Sequence, residues 1–455
     1  MFRQKDTETV RFARIESSEI STPSGQERIP PKSPLGFLAQ LEGRAPSEKR
    51  LPSAARQIKV WTLLAVLLIV AAFAQLLRSL PAPCLVLSRD SQYTFEGGPP
   101  HLPWPSEGQA AVEVEGVGVI GTRGETKSAP VASVAKTMTA FVILRDHPLD
   151  EAEEGPMIEV DQQAEEESHA ESESTAAIRK GQKFSEKQLL QLLMIPSANN
   201  AARLLARWDS LSEEAFIKKM NHAARALGMN NTTYTDPSGL RATTKSTAAD
   251  QLKLAKVALQ NQVLREIVDT PQTEISGVPG TIYNNNGRAL LYPGVNGIKT
   301  GSSTPAGGNL LWSADTVIDG KKRRIIGAVF GIRTGTTVNG QLQKAITKSI
   351  ALIRATQETL ISSTVVKKGS VVGYVDDGLD GRTPVVATED LKAVGWPGLK
   401  VDIHLEGVGI PYAAPSGRVV GKVRVGTGSG MTSAPVALRG DLSVPDLGAR
   451  LTRLG

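Results

Sequence analysis

Residues 132–140 are ASVAKTMTA, and they open a predicted helix that continues into the apolar run FVIL at residues 141–144. Helical positions i and i+3 lie one turn apart on one face, so Ser133 and Lys136 can direct a hydroxyl and an amine into one site. A lysine that burial keeps neutral can accept the proton of a serine hydroxyl. The pattern Ser-x-x-Lys arises by chance roughly once per few hundred residues. A surface serine beside a solvated lysine is therefore the alternative, and the rest of the chain must decide between the two.

The composition limits the kind of protein this is. The chain has 455 residues, 40% hydrophobic and 22% charged, as expected for two or three folded units with a large core. Its net charge of +6 is uneven, because residues 1–59 contain eleven Lys and Arg against seven Asp and Glu. The remainder is nearly neutral, so we expect no nucleic-acid partner. Cys84 is the only cysteine, which excludes an intrachain disulfide and a cysteine-based zinc site, and we expect neither metal nor cofactor.

The N-terminal region contains one segment that can cross a membrane. Residues 1–58 are polar and without periodicity, which predicts a disordered basic tail, and residues 59–78 form an apolar stretch just long enough to span a bilayer. Basic residues are denser before this stretch, which places the tail in the cytoplasm and the rest outside. Ala72-Phe73-Ala74 has the form of a signal-peptide cleavage site, but the preceding region of about 59 residues is far too long, so we favour an uncleaved anchor.

Beyond the membrane segment the pattern changes several times. Residues 79–107 are proline-rich and predict a linker or an extended arm, whereas residues 110–120 alternate as a pair of strands does. Residues 150–173 contain eleven acidic residues and no Lys or Arg, which predicts a solvated acidic excursion.

The segments that follow predict an α+β fold with an all-helical lobe. Helical patterns occupy 185–194, 201–208, 212–227 and 247–268, and Ser185 with Gln188 resembles a capping box. Strands are predicted at 295–301, 309–314 and 324–332, with a hairpin at Asp319-Gly320 and a closing helix at 341–360. We therefore expect an antiparallel sheet flanked by helices over 108–360, a small all-β domain over 361–445 and a tail at 446–455.

Two further motifs support the chemical interpretation of Ser133 and Lys136. Ser197-Ala198-Asn199 lies 64 residues after Ser133, and Lys299-Thr300-Gly301 lies 102 residues after Ser197. With these three motifs in this order, the chain resembles the low-molecular-mass penicillin-binding proteins of the D-alanyl-D-alanine carboxypeptidase type, which share the fold of β-lactamases and transpeptidases. The resemblance runs from about residue 108 to 360 and includes DPSGL at 236–240 and YPGV at 292–295.

The resemblance implies a role for each residue of the first two motifs. Ser133 is the expected nucleophile, which forms an acyl-enzyme, and Lys136 the general base, with a pKa lowered by burial and by Lys299. Ser197 is expected to pass the proton to the leaving amine. Asn199 is expected to hold Lys136 or the substrate amide.

The third motif is expected to bind the substrate. Lys299 and Thr300, followed by Gly301, would bind the terminal carboxylate of the peptide by charge-assisted hydrogen bonds. The backbone N–H groups of Ser133 and Ser302 would form the oxyanion hole. The sequence departs from the family at Ala198, where glycine is usual, and at Ser302, where an aromatic residue or histidine is common. Arg333 is a weak candidate for a further carboxylate contact.

The implied function is removal of the terminal D-alanine from peptidoglycan stem pentapeptides outside the membrane, with β-lactam antibiotics as acylating inhibitors. A D,D-endopeptidase acting on cross-linked peptidoglycan would use the same residues, so this alternative stays open, as does an inactive peptidoglycan-binding scaffold. A class A β-lactamase would need a glutamate in the loop at 231–240, where there is none. A Ser-His-Asp hydrolase is disfavoured because the five histidines stand in no recognisable triad setting.

Overall fold

The computed structural model describes residues 54–453 apart from residue 427. Residues 1–53 of the predicted tail lie outside the described residues. Helix α1 (Ala54–Leu77) begins before the predicted start at residue 59, and it is long and apolar enough to cross a membrane.

The family-like part of the chain is built from short strands, a helical stretch and three long strands. Two short strands precede it, β1 (Cys84–Leu87) and β2 (Gln92–Thr94), and its own first elements are β3 (Gln109–Val114), β4 (Gly118–Arg123), β5 (Ala129–Pro130) and α2 (Lys136–Asp146). The helical stretch comprises β6 (Met157–Glu159), α3 (Gln162–Ser168), β7 (Lys183–Ser185), α4 (Glu186–Met194), α5 (Asn199–Ser210), α6 (Glu213–Ala226), β8 (Lys245–Ser246), α7 (Ala248–Ala258) and α8 (Gln262–Asp269). The last elements are β9 (Gln272–Thr273), β10 (Ile282–Tyr283), α9 (Gly287–Leu290), β11 (Val295–Ser303), β12 (Gly307–Ile318), β13 (Lys321–Ile332) and α10 (Val338–Thr359).

The central sheet is antiparallel and has the order β11-β12-β13-β3-β4. The predicted strand pair at 110–120 and the three predicted later strands are therefore confirmed. Asp319 and Gly320 join β12 to β13 with φ angles of 50° and 72°, the positive values that a tight two-residue hairpin requires. β11 lies at one edge of the sheet.

The sheet separates two cores. One face is covered by α10, whose Ile346 and Ile353 belong to the same buried cluster as Leu310 and Trp312 of β12. The other face packs on the helical lobe, where α2 supplies Met138 and α6 supplies Phe216. The mixed architecture of sheet, helices and helical lobe agrees with the fold predicted from the sequence.

Helices α4, α6 and α7 begin within one residue of the predicted starts, α5 begins two residues earlier than predicted, and α3 is not predicted. Ser185 accepts a hydrogen bond from the backbone N–H of Gln188, whose side chain accepts from the backbone of Ser185, which confirms the capping box. The single helical stretch predicted at 247–268 is two helices, because Asn261 caps a new helix after α7 has ended.

A second antiparallel sheet has seven strands, five of which follow the family-like part. Its later strands and the remaining elements are β14 (Ile361–Val366), β15 (Val371–Asp376), β16 (Arg382–Ala387), β17 (Leu391–Gly395), β18 (Lys400–Gly407), β19 (Val419–Val425), β20 (Thr432–Leu438) and α11 (Leu447–Thr452). The strand order is β1-β15-β16-β20-β19-β18-β2, and β14 pairs separately with β17.

The segment predicted as a linker, 79–107, takes part in this second sheet. β1 pairs with β15, β2 pairs with β18, and Phe95 is completely buried in the core of the second sheet. The sequence does not reveal these strands because each has four residues or fewer and prolines flank the segment. Only the partner strands, 286 to 310 residues later, complete them.

The acidic segment 150–173 is also more structured than its charge indicates. It contains β6 and α3, and three of its carboxylates, those of Asp161, Glu167 and Glu173, pair with Arg203 and Arg207 of α5. The cationic partners lie some 30 to 46 residues later in the sequence, so the segment alone resembles a solvated run.

Candidate active site

The turn that carries Ser133 lies directly before α2. Residues Ala132–Ala135 form one turn of 3₁₀ helix, and Lys136 is the first residue of the α-helix. Ala132 has a φ of 48°, an unusual value for a residue with a side chain. The tight turn brings the hydroxyl of Ser133 towards the amine of Lys136.

The amine of Lys136 has three polar neighbours and no exposure to solvent. Its Nζ lies 2.9 Å from the Oγ of Ser133 and 3.0 Å from the carbonyl oxygen of Ser238, and it donates to the Oδ1 of Asn199. The last two atoms can only accept hydrogen bonds. A neutral amine that donates its two N–H groups to them keeps its lone pair for the hydroxyl of Ser133.

The surroundings favour that neutral form. Burial lowers the pKa of Lys136 well below its ordinary value, and the nearby charge of Lys299 lowers it further. Asp236 and Glu173 act in the opposite direction, while Arg203 adds to the lowering. The net direction is the one that a lysine needs to act as a base.

β11 approaches the serine turn backbone to backbone. A Cβ at Gly301 would stand 2.7 Å from the carbonyl oxygen of Val131, 2.9 Å from the nitrogen of Val134 and 3.1 Å from that of Ser133. Only glycine fits this contact. Ser302 follows Gly301 on the same strand, opposite Gly308 of β12.

Lys299 is completely buried, and burial lowers its pKa to about 7. Its Nζ donates to the carbonyl oxygen of Thr300 at 3.2 Å, and among the described residues it has no carboxylate partner. Asn286 holds the outer side of this strand, since its Oδ1 accepts from the N–H of Thr300 at 2.8 Å and its Nδ2 donates to the carbonyl of Ile298 at 2.9 Å.

The second motif lies in the break between α4 and α5. Ser197 has a φ of 70° and is nearly buried, and within the described part of the chain its Oγ has no hydrogen-bond partner. Asn199 is the first residue of α5, and its Nδ2 donates to the carboxylate of Glu173. The structure thus joins Ser133, Lys136 and Asn199 by direct contacts.

A loop at 236–240 completes the surroundings of Lys136. Asp236 accepts from the hydroxyl of Ser238 at 2.7 Å and from the N–H of Leu240 at 2.8 Å, which presents the Ser238 carbonyl to Lys136. Gly239 has a φ of 81°, and a Cβ there would overlap the carbonyl of Ala132. The family-like stretch DPSGL signals this loop, but its spacing alone does not give these residues a role.

Two residues around the site, Asn286 and Glu173, have no signal in the sequence, and Asp236 has only the family-like stretch DPSGL. Asn286, Asp236 and Glu173 reach the site from separate loops, and Glu173 belongs to the acidic segment whose charges resemble a solvated surface.

Arg333 and His147, which the sequence offers as further candidates, do not contact Ser133, Lys136 or Asn199 through the hydrogen bonds that they make. Arg333 donates to the carbonyls of Thr304 and Pro305, at 3.3 and 2.6 Å, so it supports the turn between β11 and β12. His147 pairs with Asp209 at 2.9 Å, but the neighbouring hydroxyl of Ser210 donates to that carboxylate and not to the imidazole. This arrangement lacks the order of a Ser-His-Asp triad.

The comparisons with known proteins point to one family. A family model described as D-alanyl-D-alanine carboxypeptidase matches residues 105–334. The D-alanyl-D-alanine carboxypeptidase DacF of Bacillus subtilis is 28% identical over 271 residues, 58% of this chain and 66% of that protein. The D-alanyl-D-alanine endopeptidase of Escherichia coli is 33% identical over 198 residues, 42% of this chain and 61% of that protein. The chain thus spans less than two thirds of the length of these two curated relatives.

The solved structures include a similar fold. The D-alanyl-D-alanine carboxypeptidase DacD from Francisella tularensis has a TM-score of 0.53 and 19% sequence identity, over 76% of this chain and 96% of that one. The 76% of this chain that the structure covers is more than the half that the family model matches. The similarity in fold therefore extends beyond residues 105–334.

Proposed function

Because the chain belongs to the D-alanyl-D-alanine carboxypeptidase family, we propose that it removes the terminal D-alanine from peptidoglycan stem pentapeptides through an acyl-enzyme on Ser133. The observation that carries the proposal is the amine of Lys136, which is fully buried, lies 2.9 Å from the hydroxyl of Ser133 and faces two acceptors on its other sides. This arrangement suits a base that takes the serine proton.

Acylation begins when the Oγ of Ser133 attacks the carbonyl carbon of the D-Ala-D-Ala peptide bond. The proton of the hydroxyl passes to Lys136, and the C–N bond breaks as an ester to Ser133 forms. The leaving amine of D-alanine takes up a proton by way of Ser197, whose buried Oγ is uncommitted among the described residues. The backbone N–H groups of Ser133 and Ser302 stabilise the oxyanion, which the close approach of β11 at Gly301 supports.

Lys299 and Thr300 bind the terminal carboxylate of the peptide. Lys299 is buried and has no carboxylate partner in the described chain, so its charged form would gain a strong charge-assisted bond from an incoming carboxylate. Water then hydrolyses the ester, which releases the shortened peptide as a carboxylate and restores Ser133.

The test is labelling with a fluorescent penicillin, because a β-lactam would acylate the same serine. We expect the wild-type chain to be labelled covalently and Ser133→Ala to remain unlabelled. Absence of labelling in both would contradict the proposal and favour an inactive peptidoglycan-binding scaffold.

A D,D-endopeptidase is the second candidate, and the 33% identity to a relative of that name favours it. Incubation with a D-Ala-D-Ala pentapeptide and, separately, with a cross-linked dimer distinguishes the two. Release of D-alanine from the pentapeptide supports the carboxypeptidase, whereas cleavage of the dimer alone supports the endopeptidase.

We propose further that α1 anchors the protein in the cell membrane with the catalytic domain outside the cytoplasm. The apolar length of the helix and the wall substrate of the family support this. Recovery of the intact chain in the membrane fraction is the expected result. A shorter, soluble chain that begins near residue 75 would indicate a cleaved signal peptide.

A further inference from the structure

We propose that Glu173 is a positioning residue for the base: it fixes which end of the Asn199 amide faces Lys136. The inference rests on the acyl transfer proposed above for Ser133. It also assigns a role to one carboxylate of the acidic segment.

An asparagine amide has a donor end and an acceptor end of nearly the same shape, so its surroundings must select the orientation. In the structure Oδ1 accepts from Lys136 and Nδ2 donates to Glu173. A carboxylate can only accept. Rotation of the amide by 180° would place Oδ1 against the carboxylate and Nδ2 against the N–H groups of Lys136. Both contacts would be lost, and one amine hydrogen would turn to Ser133 in place of the lone pair.

Glu173 is itself held in place from the same helix as Asn199. Arg203, one turn further along α5, donates to both oxygens of Glu173 at 3.2 and 3.0 Å. The Nε of Arg203 also lies 2.9 Å from a carboxylate oxygen of Glu167. These side chains are only 10 to 16% exposed, so the bidentate pair is shielded from solvent. The carboxylate therefore has little freedom to leave Asn199.

The charges around Lys136 give the proposal a measurable signature. Lys299 and Arg203 lower the pKa of Lys136, whereas Asp236 and Glu173 raise it. Neutralising Glu173 should lower this pKa further, which moves the acidic limb of the acylation profile to lower pH. Loss of the amide orientation should lower the rate on the plateau.

The experiment compares Glu173→Gln with Glu167→Gln. A glutamine at 173 can both donate and accept, so it no longer selects the orientation of Asn199. Glu167 is a matched control because it also pairs with Arg203 and carries the same charge, whereas the side chain of Asn199 donates to Glu173. The quantity measured is the first-order rate constant of acylation by saturating fluorescent penicillin between pH 5 and 10.

For Glu173→Gln we expect a plateau about 10- to 100-fold lower, a part of the roughly 10²–10⁴-fold that a general base supplies, with the acidic limb at lower pH. For Glu167→Gln we expect a change of less than about threefold. A rate constant does not depend on the folded fraction, so a loss of folded protein cannot imitate this result. Equal plateaus and equal limbs in the two variants would overturn the proposal. If the wild-type chain is not acylated, the proposed function fails instead.

Discussion

Lys136 and Lys299 are both completely buried, and burial lowers the pKa of each, but the proposed chemistry needs them in opposite charge states. Lys136 must be neutral to accept a proton, and Lys299 must be charged to attract a carboxylate. The activity should therefore be highest between the two titrations.

The first prediction follows from Lys299, whose pKa is about 7 in the unliganded protein. The value of kcat/KM for a D-Ala-D-Ala peptide should fall as pH rises through this range, because the amine proposed to bind the carboxylate loses its proton. Lys299→Arg should remove this alkaline limb, since a guanidinium stays charged, even if the absolute rate is lower. An alkaline limb that is identical in both proteins would assign it to another group.

The second prediction concerns Glu186, whose side chain is buried and whose two carboxylate oxygens have no hydrogen-bond partner among the described residues. Burial raises its pKa from 4.5 to about 7. The folded chain favours the protonated form of Glu186. The free energy of unfolding is therefore unaffected by the titration of this group below pH 4.5 and decreases as pH rises from 4.5 to about 7. The loss amounts to at most about 3 kcal/mol.

Glu186→Gln lacks this titration. The variant should therefore be more stable, relative to wild type, at pH 8 than at pH 5. Urea unfolding of both proteins at both pH values measures this difference in the free energy of unfolding. A difference that is the same at the two pH values would contradict the assignment. Comparing the two proteins at each pH cancels the contribution of the other titrating groups.

At the scale of elements, the site depends on how closely β11 approaches the serine turn. The i, i+3 spacing predicted the contact of Ser133 with Lys136, because one helical turn determines it. The approach of β11, the loop at 236–240 and the contact of Glu173 with Asn199 depend on packing between distant segments, which local patterns do not encode. The family resemblance supplied the third motif, but not the partners that hold it.

The third prediction is that Gly301→Ala disables the site with a smaller effect on the fold. The added Cβ would meet backbone atoms of Val131 and Val134 at 2.7 and 2.9 Å, so β11 must move away from Ser133. We expect the rate of penicillin acylation to fall at least about 100-fold, the effect of losing an oxyanion-hole donor. Gly98→Ala is a suitable control, since a Cβ there meets no atom within 4 Å. Equal acylation rates in the two variants would refute the prediction.

At the scale of the whole molecule, strands of the second sheet lie on both sides of the family-like part along the sequence. β1 and β2 precede it, and their partners β15 and β18 follow it. A division of the chain at residue 108, as the composition alone indicates, would remove two strands and the buried ring of Phe95 from the second sheet. The sequence predicts an all-β domain over 361–445, but not the two short strands that complete its sheet.

The fourth prediction tests this arrangement by truncation. A chain that begins at residue 96 should unfold at least about 5 °C lower than one that begins at residue 79, because it exposes two strand edges and leaves a cavity where Phe95 packs. Calorimetry of the two chains measures the difference. Phe95→Ala in the longer chain should reproduce part of it, about 3 kcal/mol or more for a buried aromatic side chain. Equal melting temperatures would show that the two strands add no stability.

The pairing of β1 with β15 also affects the order in which the chain can fold during its synthesis. Cys84 lies opposite Asp376, so a ribosome that adds about 5 to 20 residues per second needs roughly 15 to 60 seconds between the two strands. During this interval the family-like part can be completed while β1 and β2 remain without their partners. We therefore expect the growing chain to expose two unpaired strands for most of its synthesis, and the second sheet to form last.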